Sequence, residues 1–135
     1  MDYYLNAENS LARILDEYQK YKTLVVAFDF DDTVYDFHKK GRLYTEVVNL
    51  LRELKEINCY LICWTGQDDL GFVKEYLLEN NIPFDGINEN PPFHISTSKK
   101  VYANVYLDDR AGLKQVFEEL NQLLQHESIR NISAQ

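Results

Sequence analysis

The sequence predicts an α/β fold: a doubly wound parallel sheet in three layers, with helices on both faces. Short apolar runs that are typical of buried strands alternate with segments whose apolar residues recur at helical spacing. Two of the apolar runs lead directly into paired carboxylates, and doubly wound sheets bind their ligands at the carboxyl ends of the strands. At 135 residues, the chain has the length of one domain with a single core.

Each predicted element has its own signal. The strands are apolar runs at residues 24–28, 59–64, 84–87 and 101–107. The helices carry apolar side chains on one face and are predicted at residues 10–21, 44–54, 68–82 and 112–124. Ser10 and either Asp68 or Asp69 are suitable amino-terminal caps, Pro83 ends the third helix, and Gly112 opens the fourth. This alternation is typical of a Rossmann-like domain.

No linker or repeat divides the chain, so we expect one domain over residues 1–135. Residues 1–22 form a helical extension, residues 23–126 form the core that carries the site, and residues 127–135 form a frayed tail. The residues that carry chemistry are all expected in the core.

Composition narrows the functional classes. The net charge of −8 argues against general binding to nucleic acid or to an anionic membrane, although a local basic patch can still bind a phosphate. Cys59 and Cys63 fall in one predicted strand, about 13 Å apart, which is too far for a disulfide. This spacing predicts free thiols in a reducing compartment. Since no leader-like segment and no long apolar run occurs, we expect a cytoplasmic protein without a membrane partner.

Polar side chains follow three of the predicted strands. They are Asp29 and Asp31 after the first strand, Thr65 and Gly66 after the second, and Asp108 and Asp109 after the last. Parallel neighbouring strands bring such ends to one rim of the sheet. Two carboxylates 4 Å apart repel by roughly 4 kcal/mol at an effective dielectric near 20, so the cluster predicts a bound cation. Mg²⁺ prefers such oxygen ligands and bridges to phosphate, and a lysine from the pair at 99–100 is within reach of this rim.

These motifs, in this order, resemble those of the haloacid dehalogenase (HAD) superfamily of phosphotransferases. The family has an Asp-x-Asp-x-Thr motif after an apolar strand, a Thr or Ser after the next strand, a Lys, and paired Asp after a final strand. The matches in this chain are residues 29–33, Thr65, Lys100 or Lys99, and Asp108 with Asp109. Together they span residues 24–110, most of the chain.

The resemblance implies a Mg²⁺-dependent phosphomonoester hydrolase that works through an aspartyl-phosphate. Asp29 would be the nucleophile, and Asp31 would serve as general acid and then as general base. The phosphate oxygens would be held by Thr65, Gly66 and Lys100 or Lys99. The metal would be bound by Asp29, the main-chain carbonyl of Asp31, and Asp108 or Asp109. Thr33 and Arg110 would orient their neighbours.

The segments between the motifs leave no room for a cap domain. About thirty residues separate Thr33 from Thr65, and about thirty-five separate Thr65 from Lys100. An open site suits a phosphorylated substrate with a bulky end, such as a nucleic-acid terminus or a phosphoprotein, or a homo-oligomer whose second subunit supplies a lid. The basic side chains at residues 38–42 are either a solvated charge run or a contact for an anionic substrate.

Two other interpretations remain open at this stage. One is a catalytically silent HAD-like protein that only binds partners. The other is a receiver-like signalling module, which also uses a phosphorylatable Asp, a Thr and a Lys on a parallel sheet. Motif order argues against the receiver, because a receiver has its acidic pair first and its acceptor Asp in mid-chain. Here the acceptor candidate, Asp29, comes first and the second acidic pair comes last.

Overall fold

The computed structural model describes residues 1–133 and has a four-stranded, all-parallel β-sheet packed against helices. The strands are β1 (Val25–Phe28), β2 (Tyr60–Cys63), β3 (Gly86–Ile87) and β4 (Val105–Leu107). The helices are α1 (Ala7–Tyr21), α2 (Thr45–Glu56), α3 (Leu70–Glu79), α4 (Leu113–Gln125) and α5 (Glu127–Ser133), and a 3₁₀ turn (Tyr3–Leu5) precedes them. The predicted α/β class with a parallel sheet is therefore confirmed. In this described part, every helix is too short or too polar to cross a membrane.

The order of the strands across the sheet is β3-β2-β1-β4. The chain builds the sheet outward from β1 through β2 to β3 and then returns to place β4 on the other side of β1. Phe28 at the end of β1 is in register with Cys63 of β2 and Leu107 of β4, so the ends of these three strands are level. The gap between β1 and β4 is the switch point at which open α/β sheets bind ligands.

The two faces of the sheet are covered differently. On one face, Val26 and Phe28 join a core to which all five helices contribute apolar side chains. On the other face, Val25, Ala27 and Ile62 pack with Val101 in a smaller cluster that contains no helix residue among those described. The irregular segment 88–104 supplies this cover.

The prediction of three layers with helices on both faces is therefore wrong for this chain. The connection from β3 to β4 is the one that crosses the second face, and it is not helical. Pro91 and Pro92 lack the N–H that a helix interior needs, and the sequence that follows them is rich in serine and threonine, residues that favour turns over helix interiors.

The first helix begins earlier than the sequence indicated. The side chain of Asn6 accepts the N–H of Glu8 and caps α1, so Ser10 is not the cap. Ser10 instead donates a hydrogen bond of 2.9 Å to the carboxylate of Glu119 on α4. The apolar face of α1 buries Ile14 and Tyr18 as expected.

The end of the chain also differs from the expected frayed tail. Residues 127–133 form α5, in which Ile129 is fully buried and Ile132 packs against the same core. Their spacing of three positions places both side chains on one helical face, a signal that the short length of the segment obscured. Ala134 and Gln135, the last residues of the predicted tail, lie outside the described residues.

Candidate functional site

The ends of β1 and β4 bring three carboxylates together. Asp29 directly follows β1, and its N–H donates to the carbonyl of Leu107 at 3.0 Å, which fixes its backbone against β4. One carboxylate oxygen from each of Asp29, Asp108 and Asp109 lies within 4.8 Å of the others. The level strand ends of the sheet account for this proximity. The group consists of hard oxygen donors, the type that Mg²⁺ and Ca²⁺ prefer.

This proximity changes the acidity of Asp29. The pKa of its carboxyl group is raised from 3.8 to about 7, first by burial, then by a hydrogen bond with Asp109 and by the negative charges of Asp108 and Asp109. The N–H of Phe30 acts in the opposite direction. Near neutral pH, the folded protein without a cation therefore resists ionising all three carboxylates together. A divalent cation would remove this penalty.

Thr33 connects the two sides of the group. It is fully buried, and its hydroxyl oxygen lies 3.4 Å from Oδ2 of Asp29 and 3.3 Å from Oδ1 of Asp109. The same oxygen accepts the N–H of Asp109 at 3.2 Å. A single hydroxyl proton can serve one carboxylate at a time, so Thr33 can donate to either acid. The orienting role of Thr33 stays a prediction.

The two acids that follow β4 have different partners. Asp109 contacts Thr33, whereas Asp108 accepts the N–H of Arg110 at 2.8 Å through its side chain. The carbonyl of Asp108 also accepts the N–H of Ala111. Asp108 therefore shapes the turn that leads into α4, and its second carboxylate oxygen has no such bond within the described chain.

Asp31 lies in the turn after β1 and outside the three-carboxylate group. It forms an isolated bridge with Tyr35, and its Oδ1 accepts a hydrogen bond of 2.8 Å from Nε2 of Gln67. Gln67 was not predicted as a site residue from the sequence. The feature that could have indicated it is its position two residues after Thr65, and its N–H donates to the Thr65 hydroxyl at 3.1 Å. The turn after β2 thus holds the carboxylate of Asp31.

Thr65 itself is fixed by a residue that follows β3. The side chain of Asn88 accepts the N–H of Thr65 and donates to its carbonyl, each at 2.8 Å. Asn88 adopts a left-handed backbone with φ of 52°, a conformation that Asn tolerates better than most residues. Gly66, the next residue, is exposed to the cavity described below.

These residues surround one open cavity of about 290 Å³. It is lined by Asp29, Asp31, Asp32, Phe37, His38, Gly66, Asp108, Asp109 and Arg110. Larger cavities elsewhere, such as the one beside Arg52 and Ile82, lie away from these acids.

The predicted lysines are not part of this cavity. The ammonium group of Lys100 lies 5.4 Å from the centre of the Tyr106 ring, which faces the smaller cluster on the second side of the sheet. Lys99 does not line the cavity either. Among the described residues, the basic side chains that do line it are His38 and Arg110.

A second network, which the sequence analysis did not identify, lies beside the acids. The carboxylate of Asp32 lies 2.8 Å from Nδ1 of His38 and accepts the hydroxyl of Tyr44 at 3.2 Å. Contacts of this kind can be predicted from a sequence only where the spacing is regular, as on a helix. Residues 32, 38 and 44 lie in an irregular loop, so their contacts could not be predicted.

Comparison with known proteins identifies a fold relative and no family. Neither a protein-family model nor a curated protein matches the sequence. A solved structure described as a conserved protein from Bacteroides thetaiotaomicron matches with a TM-score of 0.61 and 24% sequence identity, over 74% of this chain and 91% of that one. At this identity the likeness concerns the fold alone, and it agrees with an α/β domain built on a parallel sheet.

Proposed function

We propose that this protein is a Mg²⁺-dependent phosphomonoester hydrolase, a HAD-like domain without a cap, that acts through an aspartyl-phosphate on Asp29. One observation carries the proposal: the carboxylates of Asp29, Asp108 and Asp109 meet at the switch point of a parallel sheet. The four sequence motifs also support the proposal, because they occur along the chain in the same order as in the HAD superfamily. The open cavity suits a phosphate at the end of a larger molecule.

The residues of the site fit a Mg²⁺ ion. Asp29, Asp108 and Asp109 offer carboxylate oxygens, which are the donors that this ion prefers. Burial first, and then the hydrogen bond with Asp109 and the charges of Asp108 and Asp109, raise the pKa of Asp29, so a cation would favour its ionised form. When bound, Mg²⁺ would neutralise the charge of the phosphate and of the acids around it.

In the first step, a carboxylate oxygen of Asp29 forms a bond to phosphorus while the bond from phosphorus to the ester oxygen breaks. Asp31 gives its proton to the leaving oxygen, so the alcohol departs neutral. Asp31 is suited to this role because Gln67 holds its carboxyl group at 2.8 Å on a wall of the same cavity. Thr33 keeps Asp29 oriented for attack.

In the second step, water attacks phosphorus and the bond from phosphorus to Asp29 breaks. Asp31, now ionised, takes a proton from this water, which restores both acids and releases inorganic phosphate. Arg110 lines the cavity and can pair with phosphate oxygens, since a guanidinium matches their geometry. Phosphoryl transfer depends mainly on such positioning and charge stabilisation.

The test is hydrolysis of p-nitrophenyl phosphate with Mg²⁺ and with EDTA. We expect turnover that needs the cation and that falls by about a thousandfold or more in Asp29→Asn, as when other covalent nucleophiles are removed. Asp16→Asn is the matched control, because Asp16 is exposed on α1 and its loss removes the same charge. A panel of phosphorylated nucleotides, oligonucleotides, sugars and peptides would then identify the substrate class.

One observation favours the alternative of a HAD-like protein that binds without turnover. The predicted lysine, Lys100 or Lys99, does not line the cavity, and a phosphate transition state needs positive charge around it. The same panel separates the two proposals. If no phosphomonoester is hydrolysed but phosphate or a phosphorylated ligand binds in the presence of Mg²⁺, the binding protein is the better interpretation.

A further inference from the structure

A basic segment begins at a residue that lines the acidic cavity. Residues 38–42, which we call the basic flap, contain His38, Lys39, Lys40 and Arg42 around one glycine, and all five residues are exposed. His38 lines the cavity that contains Asp29. The chain has a net charge of −8, so the charge of this segment is opposite in sign to that of the whole chain.

The backbone of the basic flap is held in place by Asp36. Its carboxylate accepts the N–H groups of Lys40 at 3.2 Å, Gly41 at 2.8 Å and Arg42 at 3.2 Å. Lys39 and Gly41 both have a left-handed backbone, with φ of 52° and 74°. Three hydrogen bonds to one carboxylate make a fixed turn, which a merely solvated charge run does not require.

The side chain of the flap's first residue is held by Asp32. The Asp32 carboxylate is 19% exposed and lies 2.8 Å from Nδ1 of His38, while the hydroxyl of Tyr44 donates to its other oxygen at 3.2 Å. Asp32 has a φ of 57°, a left-handed conformation that Asp tolerates better than most residues. This turn places the Asp32 carboxylate beside His38.

Three polar groups of the flap are left for a ligand. With Nδ1 of His38 turned to Asp32, Nε2 has no hydrogen-bond partner within residues 1–133. Lys39 and Lys40 likewise have no ion-pair partner in that range, whereas Arg42 lines a different cavity beside Asp36 and Tyr44. Since Lys100 is turned toward Tyr106, the basic side chains that line the acidic cavity in the described chain are His38, at the start of the flap, and Arg110.

We propose that the basic flap recognises a second anionic group on the substrate, so that the preferred ligands are phosphomonoesters that carry another phosphate or carboxylate. This inference rests on the proposed function, because it takes the first phosphate to lie at Asp29. The carboxylates and His38 line the same open cavity, so the part of a substrate that extends past His38 would reach the two lysines that follow it in the flap. His38 is a substrate-binding residue in this arrangement, and Asp32 is a positioning residue.

The test compares two ligands that differ by one phosphate, adenosine 5′-monophosphate and adenosine 3′,5′-bisphosphate. Dissociation constants are measured by calorimetry with Mg²⁺ in the Asp29→Asn background, where turnover cannot obscure binding. We expect the bisphosphate to bind about 5- to 10-fold more tightly, the effect of a few exposed ion pairs. Raising the salt concentration should reduce this preference.

The Lys39→Ala/Lys40→Ala variant should reduce the preference to less than about twofold, because both side chains are exposed and bind nothing else in the fold. Lys20→Ala/Lys22→Ala is the matched control. It removes two charges near the amino-terminal end of β1, at the opposite end of the sheet. Lys22 has a φ of 58° and Lys39 a φ of 52°, so each variant places one alanine at a left-handed position.

The role of Asp32 is tested by two substitutions. Asp32→Gly suits the left-handed backbone but removes the carboxylate, so the fold should persist while the dissociation constant of the bisphosphate rises several-fold and that of the monophosphate changes little. Asp32→Asn keeps one oxygen that can accept from His38, and its NH2 group can donate to the Tyr44 hydroxyl oxygen, so this variant should retain most of the preference. If both variants behave as wild type toward the bisphosphate, Asp32 does not position the flap.

The outcomes separate this inference from the proposed function. Tighter binding of the bisphosphate that is lost only in Lys39→Ala/Lys40→Ala supports the flap, and it does so even if the wild type hydrolyses no phosphomonoester of the panel, in which case the hydrolase proposal fails alone. Equal affinity for the two ligands overturns the flap even if both are hydrolysed. Equal losses in the flap variant and in the control also overturn it, since they would reflect net charge alone.

Discussion

Replacing Asp29 with Asn should stabilise the metal-free protein at neutral and alkaline pH, although it removes the proposed nucleophile. Burial, a hydrogen bond with Asp109, and the charges of Asp108 and Asp109 raise the pKa of Asp29 from 3.8 to about 7. Above this pH, folding places an ionised carboxylate beside two others. Asparagine has nearly the same shape and carries no charge, so this penalty disappears.

The sign and size follow from the pKa in the two states. Because the folded-state pKa exceeds the unfolded value, the stability associated with Asp29 is fully present below about pH 4 and is lost as the pH rises through about 7. The full shift corresponds to about 4 kcal/mol. Asp29 is only half-buried, and solvent screening reduces this to about 1–2 kcal/mol. For a domain of this size, that is a gain in Tm of about 3–8 °C.

Thermal unfolding followed by circular dichroism measures the effect. Wild type, Asp29→Asn and the exposed control Asp16→Asn are compared at pH 5 and pH 8 in EDTA. The gain of Asp29→Asn should be larger at pH 8 than at pH 5, and Asp16→Asn should show little change. Adding Mg²⁺ at pH 8 should raise the Tm of the wild type by more than that of Asp29→Asn, because a ligand of the proposed metal site is altered.

A particular result would refute this reasoning. If Asp29→Asn has the same Tm as the wild type, or a lower one, at pH 8 in EDTA, then burial and the charges of Asp108 and Asp109 do not penalise the ionised form of Asp29. The electrostatic reason to expect a cation at this site would then be gone. If the gain is the same at both pH values, its cause is not the ionisation of Asp29.

Three further predictions concern groups around the core and the site. Tyr18→Phe should lower the free energy of unfolding in urea by about 1 kcal/mol, because the buried hydroxyl donates to a backbone carbonyl at 2.7 Å. Cys59 and Cys63 are buried thiols whose pKa is raised to about 12, so a thiol reagent at pH 8 should modify them only as fast as the protein opens. Asn88→Ala removes both hydrogen bonds to the backbone of Thr65 and should cost about 2 kcal/mol in the same urea experiment.

The strands and the acidic group were predictable from the sequence because their signals are local. Each strand is a short apolar run, and each acid of the group directly follows a strand. Once Asp29 and Asp108 are assigned to the ends of neighbouring parallel strands, their proximity follows from the register of Phe28 with Leu107. The α/β class was predictable for the same reason, since alternation along the chain determines it.

The features that the sequence did not reveal depend on long-range contacts. The position of Lys100 depends on its contact with Tyr106 across the loop. The pairing of Asp32 with His38 depends on a left-handed turn, and no periodicity signals such a turn. Parallel strands are usually connected through a helix. Residues 88–104 form no helix on the second face because their prolines and serines favour turns.

The irregular crossover has a consequence for how the chain can be cut. Residues 88–104 lie over the sheet through contacts such as Phe93 against the ring of Tyr60 and Val101 against the smaller cluster. Within the segment His94 stacks on Tyr102, and Ile95 is 98% exposed. A protease would meet its most accessible peptide bonds near this point. The two fragments would stay associated, because β4 and α4 from the second piece remain paired and packed with β1 and α2 from the first. The domain therefore has a natural division into two complementary pieces, one carrying Asp29 and the other carrying Asp108 and Asp109.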